Sequence, residues 1–331
     1  MKLVVDDKIP YIRKALEEMA DEVVYLPGSG IGARDVRDAD ALIVRTRTRC
    51  DEALLGGSRV GFVATATIGY DHLDTNYLER AGIKWMNCPG CNAGSVAQYV
   101  RSALILLKRE RGLRPEESVL GVVGCGHVGS KVRDLAREMG FEVVVSDPPL
   151  GMHCDLRACD VITYHVPLTH DGPYPTYHMA DEAFLTSLTR RPILINTSRG
   201  SVVDNDALLR ALRSGLVAEA VVDVWEGEPE VNQELLERVF IGTPHIAGYS
   251  ADGKVNADNM VIEGLCRHFG IENRWHIEPP EVSIRLSDND TKEDQFLRYY
   301  NPREDSDRLK CAPKQFEFFR GNYPLRREKK C

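Results

Sequence analysis

Residues 118–129 of the chain are Ser118-Val119-Leu120-Gly121-Val122-Val123-Gly124-Cys125-Gly126-His127-Val128-Gly129. An apolar run leads into three glycines at G-x-G-x-x-G spacing, and helical spacing follows from Lys131 to Met139. In such a unit the first glycine makes a tight turn, the second lets a pyrophosphate approach the backbone, and the third allows close packing of helix on strand. The N–H groups at the helix start can bind the pyrophosphate. This segment therefore predicts a dinucleotide-binding site formed by Gly124, Gly126, His127, Val128 and Gly129.

A carboxylate follows the next predicted strand at a distance typical of ribose recognition. Val143-Val144-Val145 is a short apolar run, and Asp147 comes just after it, 18 residues past Gly129. A carboxylate here can accept hydrogen bonds from the ribose 2′-OH and repels the 2′-phosphate of NADP, so the pattern favours NAD as cofactor. A glycine loop beside a helix-capping aspartate is the alternative that these residues leave open.

Apolar runs of strand length alternate with helical patterns along most of the chain. The predicted strands are 3–5, 23–26, 41–44, 62–64, 84–86, 119–123, 143–145, 161–163, 193–195 and 220–222. The predicted helices are 11–20, 74–81, 92–111, 131–139 and 204–214. Such alternation predicts an α/β fold with a mostly parallel sheet that is covered on both faces.

The composition is that of a folded enzyme: of 331 residues, 43% are hydrophobic and 28% are charged. This is too apolar for a disordered chain, and the length suggests about two domains. No apolar run approaches the roughly 18–20 residues of a membrane span, and a net charge of −8 gives no reason to expect nucleic acid as a partner. Charged residues close to Met1 leave no room for a signal-peptide apolar region, so we expect a cytoplasmic protein.

Nine scattered cysteines, an odd number, are typical of reduced thiols rather than of a disulfide framework. Cys88-Pro89-Gly90-Cys91 is the one C-x-x-C, and without a second pair it cannot supply the four ligands of a structural zinc site. We therefore expect no metal. A redox function of this pair is the alternative to two ordinary loop cysteines.

Three polar residues lie beyond apolar runs in the second half of the chain, where open α/β sheets place their sites. Arg199 comes after Ile193-Leu194-Ile195, Glu228 comes after Ala220-Val221-Val222, and His245 follows Thr243-Pro244. Taken singly, they could be a surface ion pair, a loop carboxylate and a capped histidine. Together they fit hydride transfer from a 2-hydroxy acid. Histidine takes the hydroxyl proton, the carboxylate fixes its tautomer, and the arginine fork holds the substrate carboxylate.

The order of these motifs resembles that of the D-isomer-specific 2-hydroxyacid dehydrogenases over nearly all of residues 1–285. The matching segments are the Gly124 loop, Asp147, His165-Val166-Pro167-Leu168-Thr169, the Arg199 segment, the Glu228 segment and Thr243-Pro244-His245. The resemblance implies that Arg199 binds substrate and that Glu228 and His245 form the acid–base pair. It also implies that Asp223 and Gly248 line the nicotinamide pocket of a bound NAD, with further cofactor contacts from Val166, Thr197 and Ser198.

Further segments resemble one branch of this family, which oxidises a phosphorylated four-carbon 2-hydroxy acid on the pathway to pyridoxal phosphate. They are residues 4–11, 65–72, 89–92, 171–174, 225–230 and 245–249. This resemblance implies that Thr46, Thr67 and Tyr249 contact the substrate, although Tyr249 could also be a core aromatic. The alternatives are another family member, such as a phosphoglycerate dehydrogenase, and a dehydrogenase-like co-repressor that binds NAD as a sensor.

An anionic substrate needs local cations, because residues 1–284 carry a net charge of about −11. Val44-Arg45-Thr46-Arg47-Thr48-Arg49, if extended, places its three arginines on one face. We predict that Arg45 lies nearest the substrate pocket. A solvated basic edge that discourages strand pairing is the alternative.

The family resemblance also implies a domain organisation. Residues 1–90 and 254–284 would form a discontinuous, flavodoxin-like substrate domain, with a Rossmann NAD-binding domain inserted at 91–253. Residues 285–331 would form a small α+β dimerisation segment. Seven of the 21 Phe and Tyr residues lie in this segment, which is too short to bury them alone, so we expect a homodimer formed through it.

Overall fold

A computed structural model describes residues 1–329 of the chain. Within this range the strands are β1 (Lys2–Asp6), β2 (Glu22–Leu26), β3 (Ala41–Val44), β4 (Phe62–Thr65), β5 (Lys84–Met86), β6 (Val119–Val123), β7 (Glu142–Ser146), β8 (Val161–Tyr164), β9 (Ile193–Asn196), β10 (Glu219–Val222) and β11 (Ile241–Gly242). The α-helices are α1 (Arg13–Met19), α2 (Ala33–Val36), α3 (Glu52–Leu55), α4 (Thr75–Arg80), α5 (Ala93–Arg111), α6 (His127–Glu138), α7 (Glu182–Thr186), α8 (Asn205–Ser214), α9 (Gln233–Arg238), α10 (Ala251–Phe269), α11 (Lys292–Tyr299), α12 (Pro302–Cys311) and α13 (Phe316–Gly321). None of these helices combines the length and apolar character that crossing a membrane requires.

The chain divides into two compact units. Residues 1–92 and 250–281 form the first unit, and residues 93–249 form the second together with the segment from Val282 onward. Each unit contains one sheet whose strands are all parallel. The predicted α/β class with parallel sheets is therefore confirmed.

The first unit has a five-stranded sheet with the order β2-β1-β3-β4-β5. The central strands β3 and β4 are buried along their whole length, which explains why their sequences are continuous apolar runs rather than alternating ones. On one face, Val261, Ile262 and Leu265 of α10 pack in the same core cluster as residues of β1, β3 and β4. The strand order reverses at β1, so the loops that follow β1 and β3 diverge from a topological switch point, where open sheets bind ligands.

The second unit has a six-stranded sheet with the order β11-β10-β9-β8-β6-β7. Its strand order reverses at β6, and the glycine loop follows that strand directly. Helix α5 covers this sheet with the predicted apolar stripe, since Val96, Val100 and Leu104 are all buried in one core cluster. The fold therefore places the G-x-G-x-x-G segment at the switch point of the unit.

Several helix boundaries follow from local residues that the sequence marks. The Asp74 side chain accepts the N–H of Tyr77 at the start of α4, and the Asp204 side chain accepts the N–H of Ala207 at the start of α8. Gly215 ends α8 with φ of +76°. Helix α6 begins at His127, four residues earlier than the periodicity predicted, because the glycine loop passes directly into the helix.

The C-terminal segment corrects two expectations. The predicted strand content of an α+β segment is wrong: within residues 282–329 the regular elements are α11, α12, α13 and a 3-10 turn. Residues 292–321 contain no Val, Ile or Thr, so they lack the β-branched side chains that favour strands. In addition, Tyr300 and Phe316 are buried in the core clusters of the second unit, so their burial needs no partner subunit.

Candidate active site

Three neighbouring strands of the second unit place the predicted catalytic residues at one edge of the sheet. Arg199 lies three residues beyond β9, Glu228 lies in the loop after β10, and His245 follows β11. These strands are adjacent and parallel, so their carboxyl ends meet at the same edge. Sequence spacing had suggested this edge, and the register of the strands produces it.

Glu228 and His245 form a hydrogen-bonded pair. The Nδ1 atom of His245 lies 2.8 Å from Oε2 of Glu228, and Oε1 of Glu228 accepts the N–H of Trp225 at 2.8 Å. Burial by itself would raise the pKa of Glu228, but the bond with His245 and the N–H of Trp225 outweigh it and hold this pKa below its ordinary value. An ionised carboxylate can only accept, so Nδ1 carries the hydrogen and Nε2 is left as the basic nitrogen.

Asp223 fixes the loop that carries His245. Its buried carboxylate accepts hydrogen bonds from Thr243 Oγ1 at 2.7 Å, the N–H of Ile246 at 2.8 Å and the N–H of Ala247 at 3.0 Å. Burial raises the pKa of Asp223, and these three donors offset part of that effect. His245 itself has φ of +57°, a conformation that residues other than glycine rarely adopt. The loop therefore holds the histidine in a strained but well-defined position.

The Arg199 loop is packed directly against the loop that leads to Glu228. A Cβ on Gly200 would lie 2.0 Å from the carbonyl oxygen of Trp225, so only glycine permits this approach. The Asn196 side chain donates to the Arg199 carbonyl oxygen at 2.9 Å, and the Arg199 guanidinium donates to the carbonyl of Ser198 at 2.8 Å. The backbone on both sides of Arg199 is thus fixed beside the loop that leads to Glu228.

The glycine loop has the geometry that a bound pyrophosphate requires. Gly124 has φ of +83°, and a Cβ on it would lie 2.6 Å from the His165 carbonyl oxygen. A Cβ on Gly129 would lie 1.8 Å from the carbonyl oxygen of Gly124, so this glycine is required for close packing of α6 on β6. At Gly126, by contrast, no described atom lies within 4 Å of a Cβ, which leaves the backbone open to a ligand.

The remaining predicted cofactor residues lie in the second unit. Asp147 Oδ2 accepts the N–H of Cys125 at 2.6 Å, so the carboxylate lies against the glycine loop. Ser198 donates through both its N–H and its hydroxyl to Asn196 Oδ1, at 3.1 and 2.9 Å. Four more of these residues lie in the same unit: His127 and Val128 open α6, Val166 packs against a core cluster, and Gly248 lies in the turn after His245.

A second histidine in this region is held neutral. His165 Nε2 lies 2.9 Å from Thr163 Oγ1, and its Nδ1 lies 3.4 Å from Thr197 Oγ1. Burial lowers the pKa of His165 to about 3. This side chain is therefore a neutral hydrogen-bonding partner for Thr197 rather than an acid–base group.

The predicted substrate residues of the first unit follow two of its adjacent strands. Arg45 and Thr46 come directly after β3, and Thr67 comes two residues after β4. Arg45 Nη1 donates to the carbonyl of Lys8, in the loop after β1, at 2.8 Å. Thr67 Oγ1 lies 2.7 Å from Thr65 Oγ1 and donates to the Gly69 carbonyl at 2.8 Å. These residues therefore share the switch-point edge of the first sheet.

The extended conformation considered for the three arginines is wrong. The chain turns at residues 46–48, and the Thr48 hydroxyl fixes this turn by donating to the Gly28 carbonyl at 2.7 Å. Arg49 is directed elsewhere, since it donates to the Asp71 carbonyl at 3.2 Å and lies 3.7 Å from Asp51. The three side chains therefore do not form one basic strand face.

The C-x-x-C pair has the surroundings of structural cysteines. The Cys88 thiol is buried and donates to the carbonyls of Thr65 at 3.4 Å and Ala257 at 3.5 Å. Burial raises the pKa of Cys88, which disfavours the reactive thiolate.

Sequence reasoning missed the residues that hold the catalytic loops in place. Trp225 Nε1 donates to the Thr243 carbonyl at 2.9 Å, and the Tyr99 hydroxyl lies 2.8 Å from Thr243 Oγ1. Arg320, far along the chain, lies 3.8 Å from Glu228. Only Trp225 carried a signal, because it begins the Trp225–Glu230 segment that was singled out; the other two partners are distant in sequence.

Known proteins are similar to this chain in sequence and fold. Residues 94–247 match the family model described as D-isomer specific 2-hydroxyacid dehydrogenase, NAD binding domain. The 3-phosphoglycerate dehydrogenase of Entamoeba histolytica, solved with NAD+ bound, is structurally similar, with a TM-score of 0.69 and 27% sequence identity over 82% of this chain and 95% of that one. The chain belongs to the D-isomer specific 2-hydroxyacid dehydrogenase family.

Within this family, two relatives that match over nearly their full length carry one name. The erythronate-4-phosphate dehydrogenase of Bacteroides fragilis is 54% identical over 99% of this chain and 97% of its own length. The erythronate-4-phosphate dehydrogenase of Escherichia coli O157:H7 is 40% identical over 99% of this chain and 92% of its own length. The predicted family is thus confirmed, and the relatives' name agrees with the branch that the sequence segments resembled.

Proposed function

We propose that this chain oxidises 4-phospho-D-erythronate to (3R)-3-hydroxy-2-oxo-4-phosphooxybutanoate with NAD, as a step of pyridoxine biosynthesis. One structural observation carries the chemistry: the Glu228–His245 pair, at 2.8 Å, at the sheet edge that also holds Arg199. The choice of substrate rests on relatives that are 40–54% identical over nearly the whole chain.

The second unit fits NAD by its own geometry. Gly124 and Gly129 are confined by close backbone contacts, whereas Gly126 is open at the start of α6. Gly126 and the first N–H groups of α6 would hold the pyrophosphate, and Asp147 would accept the ribose hydroxyls. A bound NAD would supply the acceptor for the hydride of substrate carbon 2.

Residues of the chain accept the proton of the 2-hydroxyl and bind the negative charge of the substrate carboxylate. His245 Nε2 takes the proton of the 2-hydroxyl, and Glu228 stabilises the imidazolium through Nδ1. Arg199 binds the substrate carboxylate, for which its planar fork of donors is suited. Asp223 contributes by keeping the His245 loop in place.

We propose that Arg45, Thr46, Thr67 and Tyr249 contact the substrate, with Arg45 nearest its pocket. Arg45 and Arg49 offer a matched pair of variants, because both are arginines of one loop but Arg49 is directed to Asp71 and Asp51. Arg45→Ala should raise KM for 4-phosphoerythronate by about tenfold or more, as expected for loss of a charge-assisted contact. Arg49→Ala should leave KM within about twofold. Equal KM values for the two variants would refute the assignment of Arg45.

The reaction is tested by a steady-state assay that follows NADH formation. The purified chain is given NAD with 4-phosphoerythronate or, separately, with 3-phosphoglycerate. We expect a kcat/KM for 4-phosphoerythronate that exceeds that for 3-phosphoglycerate by at least about 100-fold, a preference of roughly 3 kcal/mol. Absence of turnover with 4-phosphoerythronate would overturn the proposal, and a preference for 3-phosphoglycerate would assign the other substrate.

We also propose a homodimer formed through the C-terminal segment, in a cytoplasmic enzyme. Support for the dimer comes from exposed apolar side chains on this segment: Phe318 is 61% and Leu325 is 49% exposed. Support for a reducing compartment comes from the nine cysteines of the sequence, an odd number scattered along a long chain. Light scattering of the wild type and of Phe318→Glu tests the dimer, and a monomeric wild type would contradict it. The domain boundaries that the sequence analysis places after residues 90, 253 and 284 remain predictions.

A further inference from the structure

The C-terminal segment brings an arginine to the catalytic pair. Phe316 begins α13 and is 1% exposed, in the same core cluster as Leu309. Arg320 follows four residues later and so lies on the same face of the helix as this anchor. The Arg320 side chain is 23% exposed, which leaves most of it enclosed by protein.

One guanidinium contacts two functional residues. Arg320 Nε donates to the Tyr249 hydroxyl at 3.3 Å, and Nη1 lies 3.8 Å from Oε2 of Glu228. This is the same carboxylate oxygen that lies 2.8 Å from His245 Nδ1. Tyr249, Arg320, Glu228 and His245 therefore form a continuous polar chain within the second unit.

Charged groups with defined positions lie around this chain. His245 and Arg320 face the Glu228 carboxylate, Asp223 contributes a negative charge near His245, and Glu317 lies 3.7 Å from Arg320. Arginine stays charged at every pH at which a protein is folded, so its field at Glu228 is constant. Arg320 is one of the groups that hold the pKa of Glu228 below its ordinary value.

We propose that Arg320 is a positioning residue of the active site, which fixes the Glu228 carboxylate and the Tyr249 hydroxyl at once. Through it, the C-terminal segment completes the catalytic unit of its own subunit, apart from any dimer contact. The inference rests on the proposed function, in which Glu228 acts through His245 and Tyr249 contacts the substrate. The planar fork matters, since a lysine could supply the charge but could not face both partners.

The test compares Arg320→Ala and Arg320→Lys with the wild type. Arg298→Ala is the matched control, because Arg298 belongs to the same segment but pairs with Asp290 at 3.2 Å. For Arg320→Ala we expect kcat/KM to fall about tenfold and the acid limb of the pH–rate profile to move up by about 0.5 pH unit, since one nearby cation is lost. Arg320→Lys should restore the acid limb but leave KM raised. Arg298→Ala should match the wild type.

Two further backgrounds separate positioning from general stability. When Arg320→Ala is added to Glu228→Gln, it should no longer shift the acid limb of the pH–rate profile. When it is added to Tyr249→Phe, it should no longer raise KM. NAD affinity and the melting temperature are measured for every variant, and both should stay close to wild type. Effects of Arg320→Ala that persist undiminished in both backgrounds would overturn the proposal, as would a profile identical to that of Arg298→Ala.

The assay uses whichever of 4-phosphoerythronate and 3-phosphoglycerate the wild type oxidises. An error in the proposed substrate then appears as the substrate preference of the wild type. An error in the role of Arg320 appears as a difference between the variants and their expected kinetics.

Discussion

Replacing Glu228 by glutamine removes the charge bonded to His245 while keeping the size of the side chain. In the native pair, one carboxylate oxygen accepts the Trp225 N–H and the other faces His245 Nδ1, both at 2.8 Å. An amide has only one acceptor for these two donors. If its oxygen faces Trp225, its NH2 group faces Nδ1 and forces the ring hydrogen onto Nε2, which blocks the base. If its oxygen faces His245, the Trp225 N–H is left opposite a second donor.

The expected loss follows from these two arrangements. General acid–base catalysis by a positioned side chain contributes about 10²–10⁴-fold, and a histidine held in the wrong tautomer has lost about 10⁴-fold in serine proteases. We therefore expect Glu228→Gln to lower kcat by about 10²–10⁴-fold, equivalent to roughly 3–5 kcal/mol of barrier. The affinity for NAD should stay within about twofold, because none of the residues predicted to hold the pyrophosphate changes.

The chain provides a matched control for this variant two residues away. Glu226 belongs to the same loop, but its carboxylate lies 2.7 Å from Nε2 of His178 rather than from His245. Glu226→Gln makes the same chemical change and should leave kcat within about threefold. Initial rates of NADH formation over pH 5–9 measure both variants, with NAD binding followed by fluorescence. A Glu228→Gln enzyme that retains more than a third of wild-type kcat would refute the reasoning, as would equal losses in the two variants.

Two further variants test other parts of the site, and a third tests the stability effect of Asp258, a buried residue of α10. His245→Ala should lower the oxidation rate by at least about 10²-fold while fluorescence titration still detects NAD binding; loss of binding would give this residue a structural role instead. Asp147→Asn should improve the affinity for NADP relative to NAD by about tenfold in the same titration, and an unchanged ratio would contradict its placement at the ribose. Burial raises the pKa of Asp258 to about 7, so the folded protein binds this proton more tightly than the unfolded chain, and stability falls as pH rises from about 4 to 7. Asp258→Asn should therefore be more stable than wild type at pH 8, by up to about 4 kcal/mol, with a smaller difference at pH 5; denaturant unfolding at both pH values measures this, and no pH dependence would contradict it.

Local signals in the sequence were sufficient to predict most of the strands and helices of the fold. Continuous apolar runs marked the buried parallel strands, and Asp204 with Gly215 marked both ends of α8, because capping depends on residues adjacent in sequence. The two-residue strand β11 has no such signal, since pairing with β10 rather than local propensity defines it. The C-terminal segment was misjudged in part because Tyr300 is buried beside Tyr99, a residue about 200 positions earlier in the chain.

The candidate site was predictable where chemistry fixes residue types at the ends of strands. Arg199, Glu228 and His245 could be selected as candidates because an anion clamp, a carboxylate and a base have few alternatives among side chains, and the structure brings them to one sheet edge. Their supports were not predictable, because Tyr99 and Arg320 reach the site through tertiary packing alone. The extended conformation considered for residues 45–49 was wrong for the same reason. The hydrogen bond from Thr48 to the Gly28 carbonyl, which fixes the turn, joins positions 20 residues apart.

The dependence of the site on the C-terminal segment decides how dimerisation has to be tested. Arg326 is buried and donates to the Ala247 carbonyl at 2.6 Å, two residues beyond His245, and Arg320 lies beside Glu228. Removing the segment would therefore disturb the His245 loop even in a protein that was always monomeric. A truncated chain without activity consequently says nothing about subunit contacts. Phe318→Glu changes an exposed position and keeps both arginines, so an active monomer of this variant would show that the segment serves catalysis and association through different residues.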